Sequence, residues 1–145
     1  MKRLILLSTF VLAGCGPDLT PWKGTWTGSG SVNTGRQPLP FTGKLVVAET
    51  FAATSDAQGT PAVSFSCALT PVTVDGANVT FKGPTTFALT ATPADGCTRQ
   101  VTMDDGTATR TGDSLEASVR GKVKTECTGG SSTVENFLLS LVANR

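Results

Sequence analysis

The sequence contains no histidine and no tyrosine. Histidine is the usual general base of nucleophilic catalysis, so its absence excludes Ser-His-Asp and Cys-His systems in their usual form, as well as Cys/His zinc sites. The aspartates lie mostly beside glycine in predicted turns, and no Asp-x-Asp-x-Asp-Gly run predicts a calcium loop. We therefore expect neither catalysis nor a bound metal.

Charged residues are scarce, at 16% of the chain, and no cluster of Lys or Arg is present. Without Lys2 and Arg3 the 12 basic residues become 10 against 11 acidic ones, a net charge of −1. Nucleic-acid binding, which depends on a basic surface, is therefore not expected. No apolar run approaches the roughly 20 residues of a membrane-spanning helix.

The N-terminus carries the clearest motif. Lys2-Arg3 precedes the short apolar run 4–13, as in a secretory signal peptide. Leu12-Ala13-Gly14-Cys15 then resembles the lipobox of bacterial lipoproteins. That resemblance implies cleavage after Gly14, a diacylglyceryl group on the Cys15 thiol and an acyl chain on the new amine. These covalent lipids are the only prosthetic groups we expect. The alternative is an ordinary signal peptide with Cys15 near the cut.

The resemblance also predicts the organisation and location of the chain. Residues 1–14 form the lipoprotein signal peptide, residues 15–21 the lipidated cysteine and a short linker, and residues 22–145 a single β domain. Membrane lipid, bound through Cys15, is the expected partner in the cell envelope. Gly16, rather than Asp, after the cysteine favours the outer over the inner membrane.

Thr-rich alternating segments and frequent turn signals predict an all-β domain of eight or nine strands. The short links between strands favour an antiparallel up-and-down barrel, with a two-sheet β-sandwich as the alternative. The segment 115–124 shows the cleanest alternation, with Leu115, Val119 and Val123 on its dry face. The predicted strands are residues 23–32, 41–51, 62–74, 77–82, 85–92, 97–103, 107–111, 115–124 and 133–143.

Gly24-Thr25-Trp26 opens the first predicted strand and resembles the Gly-x-Trp with which lipocalins begin their barrel. The resemblance implies that Trp26 closes the barrel floor and that the interior carries a small apolar ligand. Three departures are visible: without tyrosine there is no Thr-Asp-Tyr motif, the family's arginine after the last long strand corresponds only to Arg145, and no N-terminal helical turn is expected. The alternative for Trp26 is a large core residue near the anchored end.

Two charged residues alternate with apolar neighbours in such a way that they fall on the same face of a predicted strand. Glu49 follows the face of Val47 and Phe51, and Arg99 follows the face of Val101. If these faces point inward, Glu49 and Arg99 join Trp26 as internal ligand contacts. The alternative places both at strand ends, where charges reach water.

Cys67, Cys97 and Cys127 remain for disulfide formation in an oxidising compartment, which leaves one free thiol. Counting the predicted hairpins puts Cys97 at the opposite end of the barrel from the other two. This count favours a Cys67–Cys127 bridge, although the sequence leaves the other pairings of the three cysteines open.

Three functions remain open. The first is a non-enzymatic envelope lipoprotein that has a structural role or binds another envelope protein. The second is a lipocalin-like carrier of a small apolar ligand, which needs an internal cavity of several hundred Å³. The third is an inhibitor of a hydrolase that acts through the predicted loops 33–40 or 52–61.

Overall fold

A computed structural model describes residues 17–35, 37–57 and 62–145. The lipobox and the signal peptide lie outside the described residues. A 3₁₀ turn, Thr20–Trp22, leads into nine strands. The expectation that no helical turn precedes the first strand is therefore wrong. These are β1 (Gly24–Asn33), β2 (Leu39–Val47), β3 (Phe51–Ala57), β4 (Ala62–Leu69), β5 (Pro71–Asp75), β6 (Asn78–Thr92), β7 (Cys97–Thr111), β8 (Ser114–Cys127) and β9 (Ser132–Asn144).

The strands form a closed antiparallel barrel. Their order is β4-β3-β2-β1-β9-β8-β7-β6-β5, and the pairing of β4 with β6 closes the ring. Eight strands make the barrel. β4 pairs with the last part of β6, residues 89–92, and the ninth strand, β5, pairs with the first part of β6, residues 78–81. The prediction of an up-and-down barrel is confirmed, and the sandwich alternative is excluded.

Alternation places one face of each strand in a common core. On β8, Leu115, Val119 and Val123 are buried, whereas Glu116 and Lys122 are exposed. The same period of two runs along β9, where Phe137, Leu139 and Leu141 are buried. Inward-facing apolar side chains are thereby removed from water, which stabilises the barrel.

Two predicted turns are instead bulges inside long strands. Gly83-Pro84 lies within β6, where the register shifts between Lys82 and Thr85. Opposite it, the register of β7 against β8 shifts between Met103 and Asp105. A proline has no N–H for the ladder, so it fits at a bulge without ending the strand. β6 and β7 are therefore each one strand rather than two.

The predicted loop 52–61 is wrong over its first half. Phe51–Ala57 forms β3, which pairs with β2 from Phe51↔Val47 to Ala57↔Phe41. The Ala, Thr and Ser residues of this segment lack a strong apolar alternation, which is why the pattern pointed to a loop. Residues 58–61 lie outside the described part.

Two ends of the barrel differ in construction. We call one the mouth. It is the end where β1, β3, β6 and β8 finish and where the next strand in the chain begins in each case. The other is the closed end, where Leu19, Trp22, Trp26 and Leu115 are buried. Leu19 falls within the predicted linker 15–21, and its side chain packs into the core.

Glycines in β1 allow close approach of neighbouring backbones. A Cβ on Gly28 would lie 1.9 Å from the carbonyl oxygen of Val142, and one on Gly30 would lie 2.6 Å from the Phe41 ring. These positions therefore serve tight coiling of the strand and create no cavity. Among the described residues, no helix is long and apolar enough to cross a membrane.

Candidate ligand-binding site

The mouth contains a cavity of about 550 Å³ with two unlike walls. One wall is apolar and is made by residues of β2, β4 and β6. β4 and β6 are paired, and β3 lies between β4 and β2. Strands β7, β8 and β9 are contiguous and make the other wall polar. The apolar wall consists of Leu39, Ala62, Val63, Leu89, Ala91 and Pro93; the polar wall includes Asp95, Arg99, Thr125, Ser131, Thr133 and Glu135.

A layer of phenylalanines lies directly beneath this cavity. Phe41, Phe65, Phe87 and Phe137 each stand two residues further into the barrel than a residue that lines the mouth. Their ring centroids are linked at 5.2 Å (Phe41–Phe65), 5.9 Å (Phe65–Phe87) and 5.9 Å (Phe87–Phe137). The first and third contacts are edge-on and the second is tilted, and both are favourable aromatic packing geometries. The layer therefore forms the floor of the mouth.

Below that floor the barrel is nearly full. An internal space of about 30 Å³ lies there and has an apolar lining. That volume holds no more than about two waters. This space is too small to hold a small-molecule ligand, so the mouth is the candidate binding site.

Arg99 lies on the polar wall and forms an ion pair with Asp95. Its Nη1 donates to Asp95 Oδ1 at 3.1 Å, and its Nη2 donates to Asp95 Oδ2. The backbone N–H of Cys97 also donates to Asp95 Oδ1, at 3.1 Å. The hydrogen bond from Arg99 is the main reason that the pKa of Asp95 falls to about 2, and the carboxylate raises the pKa of Arg99. The Arg99 side chain is only 21% exposed, so the predicted internal position of Arg99 agrees with its place in the mouth.

Glu135 lies on β9, with the parity of buried Phe137, and its half-buried side chain lines the cavity. It pairs in register with Val123, and Val123 pairs with Val101. This row lies one step deeper than the row of Arg99, Thr125 and Thr133. Among the described residues, Glu135 has no salt bridge and its carboxylate no hydrogen bond to a protein group. It is therefore an inward-facing carboxylate with free acceptor capacity.

A disulfide joins Cys97 and Cys127 at the rim. These residues face each other across β7 and β8, at the first residue of one strand and the last of the other. The predicted Cys67–Cys127 bridge is wrong. A turn predicted at 104–106 reversed the inferred direction of the chain after Met103, whereas β7 in fact runs on to Thr111. Cys97 and Cys127 consequently reach the same end.

Cys67 is the free cysteine of the described residues and lies inside the barrel on β4. It lines the small internal space below the floor. Burial raises the pKa of its thiol to about 11. Since the thiolate is the reactive form, this thiol is chemically inert in the folded barrel.

The prediction that Glu49 points into the barrel is wrong. β2 ends at Val47, and Glu49 lies in the bend before Phe51, where its side chain is 92% exposed. Its nearest partner is Lys23, whose Nζ lies 3.9 Å from Oε1. The bend interrupts the alternation, so parity counted through it fails. Glu49 and Arg99 are at opposite ends of the molecule.

Trp26 is fully buried at the closed end and does not line the mouth. Its Nε1 donates to the carbonyl of Trp22 at 2.9 Å. The guanidinium of Arg145 lies 4.3 Å from the centroid of its ring and donates through Nη2 to the carbonyl of Pro21. Trp26 thus contributes to the floor of the closed end rather than to ligand contact.

Sequence reasoning missed Glu135 and assigned Asp95 only to a turn. The signal for Glu135 was present, because it shares the parity of Phe137 and Leu139 on the last strand. Asp95 accepts hydrogen bonds from the guanidinium of Arg99, four residues further along the chain, and turn composition alone does not indicate this contact. No group of three or more His, Cys, Asp or Glu in the described part could hold a metal ion.

Comparisons with known proteins identify no family for this chain. No family and no curated protein matches it in sequence. A protein of unknown function of the DUF3598 family from Nostoc punctiforme is 12% identical, with a TM-score of 0.41 over 90% of this chain; this chain spans about half (51%) of that one. Rv2717c from M. tuberculosis is 17% identical, with a TM-score of 0.36 over 88% of this chain and 94% of its own. At these TM-scores, neither likeness bears on the function of this chain.

Proposed function

We propose that this chain is a lipid-anchored, non-enzymatic protein of the bacterial cell envelope whose barrel binds a compact small molecule at its mouth. The observation that carries the binding function is the mouth cavity of about 550 Å³. Sites for small molecules in proteins span roughly 300–1,000 Å³ and combine apolar walls with a few placed polar groups. Both properties are present here.

The contrast within the barrel supports binding over a purely structural role. A barrel that serves only as a scaffold is best stabilised by a filled interior, as the part below the phenylalanine layer is. At the mouth, by contrast, Arg99 and Glu135 project inward around open space. Charges held at an inner wall cost stability unless they are paired or solvated, which fits a site shaped for a polar ligand.

The two-walled mouth refines the carrier hypothesis. A wholly apolar ligand would leave the polar wall of β7, β8 and β9 without hydrogen-bond partners. The cavity therefore fits a molecule with one apolar side and one polar edge. The stacking of Arg145 on Trp26 supports the resemblance to lipocalins, in which the closed end is likewise a floor and the opposite end admits the ligand.

Native mass spectrometry of the full chain, purified in mild detergent, tests ligand binding. We expect adducts with the mass of a small molecule. Ala91→Trp, which fills the mouth, should remove them, whereas Ala88→Trp should not, because Ala88 faces outward on the same strand. A clean unliganded mass after gentle purification, or adducts that survive Ala91→Trp, would contradict binding at the mouth.

The anchor is tested separately through Cys15. Radiolabelled palmitate should be incorporated into the wild-type chain in growing cells and should be absent from Cys15→Ala. Membrane fractionation should then place the wild-type chain in the envelope fraction, with the outer membrane preferred. Equal labelling of the two chains would refute the lipid anchor without affecting the binding proposal.

A further inference from the structure

The charge balance of the mouth points to the chemical class of its ligand. Among the described residues that line the cavity, one cationic side chain, Arg99, is accompanied by two carboxylates, Asp95 and Glu135. Arg99 and Asp95 neutralise one another through two hydrogen bonds. The excess charge on the polar wall is therefore negative and lies on Glu135.

The surroundings of Glu135 suit an ammonium group. An ammonium has three N–H donors and no acceptor, so it needs a carboxylate and further oxygen atoms around it. Thr133 lies two residues before Glu135 on β9, and Thr125 on β8 pairs in register with Thr133. Both line the cavity with side chains that carry hydroxyl oxygens. The polar wall thus offers one charged and two neutral acceptors next to each other.

The apolar wall and the floor limit the rest of the ligand. Leu39, Val63 and Leu89 line the cavity with apolar side chains, and the phenylalanine layer ends it below. The space under that layer, about 30 Å³, is too small for an alkyl chain. The apolar part of the ligand must therefore be short or cyclic and must lie across the mouth.

We infer that the mouth binds a compact primary amine, with its ammonium group at Glu135 and its apolar body against Leu39, Val63 and Leu89. This inference rests on the proposed binding function and specifies its ligand. It differs from carriage of an extended lipid, which this barrel cannot accommodate. It also assigns Glu135 as the residue that determines specificity.

Three probes with the same phenyl ring and different polar groups test the inference: 2-phenylethylamine, 2-phenylethanol and phenylacetate. Isothermal titration of the full chain in mild detergent should show the amine binding at least about tenfold more tightly than the alcohol or the acid, because hydrogen bonds between charged groups are the stronger ones. Equal affinity for the three probes, tighter binding of phenylacetate, or no binding of any of them would overturn the assignment to amines.

Glu135→Gln removes the charge while nearly keeping the shape of the side chain. It should reduce the preference for the amine over the alcohol to less than about twofold. Glu116→Gln is the matched control, since it removes the same charge from the exposed outer face of β8 and should leave the preference intact. A preference that persists in Glu135→Gln would refute the role of Glu135. The probe series in the wild-type chain decides the ligand class independently of any variant, and adducts seen by mass spectrometry despite a failed probe series would leave the binding function standing.

Discussion

Single residues determine how closely the strands of this barrel approach one another. At Gly28 a side chain would meet the backbone of β9, which is fixed by its own ladder and cannot move as a flexible side chain does. Turn glycines such as Gly129, in contrast, face open space. Replacing one Cα hydrogen by a methyl group therefore has different consequences at the two kinds of position.

We expect Gly28→Ala to lower the free energy of unfolding by about 1–3 kcal/mol or to prevent folding, as overpacking does in close-packed interiors. Gly129→Ala is the control and should change it by no more than about 0.5 kcal/mol. Urea unfolding followed by circular dichroism measures both. Equal stability of the two variants would show that β1 and β9 are less closely packed than described.

The Asp95–Arg99 pair should make stability depend on pH. The pKa of Asp95 is lowered from 3.8 to about 2 in the folded barrel, so the unfolded chain takes up the proton first as the pH falls. Its contribution is therefore complete above about pH 4 and is lost as the pH falls toward 2. The effect is small, because the Asp95 side chain is 42% exposed and solvent screens the pair.

Urea titrations between pH 5 and pH 2 check this expectation. The wild-type chain should lose more stability over that interval than Asp95→Asn, which has no proton to take up at that position. Other carboxylates titrate alike in both chains and cancel in the difference. Identical pH profiles would mean that Asp95 and Arg99 are not paired in solution.

At the scale of elements, the β7–β8 hairpin is the most extensively paired unit of the barrel. Its ladder runs from Thr111↔Ser114 at the closed end to Cys97↔Cys127 at the mouth. The disulfide therefore links the two free ends of the hairpin. It also holds the backbone beside Arg99 in place, so the hairpin connects barrel stability with the geometry of the polar wall.

Replacing both bridged cysteines, as in Cys97→Ser/Cys127→Ser, should lower the free energy of unfolding by about 2–4 kcal/mol. Peptide mapping of the wild-type chain without reductant should recover the 97–127 bridge and an alkylated Cys67. The free thiol should react with a thiol reagent only after denaturation, because it is buried with a raised pKa. A recovered Cys67–Cys127 peptide would contradict the structure.

The elements predictable from sequence are those whose apolar alternation is uninterrupted. β8 and β9 satisfy this condition, and the barrel follows from the number and spacing of such strands. β6 and β7 do not, because Gly83-Pro84 and Asp104-Asp105-Gly106 look locally like turns although the ladder on both sides holds them in strands. Only the pairing partner distinguishes a bulge from a turn, and that partner is remote in sequence.

The residues of the candidate site were likewise predictable only where they lie in strands with uninterrupted alternation. Arg99 lies within an uninterrupted strand, so its inward position followed from parity. Glu49 lies beyond the end of β2, so the same rule failed there. The cavity itself depends on the side-chain volumes of six strands that come together only in the closed barrel, and no local pattern reports it.

At the scale of the whole molecule, the two ends of the barrel differ in construction. The described chain starts at Pro17 beside the closed end, where Leu19 and Trp22 pack, whereas the cavity lies at the mouth. Fourteen residues of β8, tilted as strands are in small barrels, span on the order of 35 Å along the axis. If Cys15 is lipidated, the linker 16–18 adds at most about 10 Å. The mouth should then face away from the bilayer.

Bilayer quenching tests this orientation in a Cys67→Ala background. A fluorophore on Asp113→Cys, at the closed end, should be quenched by brominated lipid, whereas one on Thr128→Cys, at the mouth, should not. The expected difference follows from the height of the barrel alone. Equal quenching would mean that the barrel lies on its side, and stronger quenching at Thr128→Cys would mean that the mouth faces the membrane.

The pairing of β1 with β9 places the start and the finish of the barrel side by side. Arg145 accordingly contacts Pro21, far from the mouth. An affinity tag added after Arg145 would emerge from the closed end. Molecules captured by that tag on a sensor surface would therefore all have the mouth facing the flowing solution. Because the two ends of the barrel strands are neighbours, the chain is suited to circular permutation. A short segment joining β9 to β1 would allow new termini at the turn 128–131. The permuted barrel would then carry its attachment point beside the mouth instead of at the closed end.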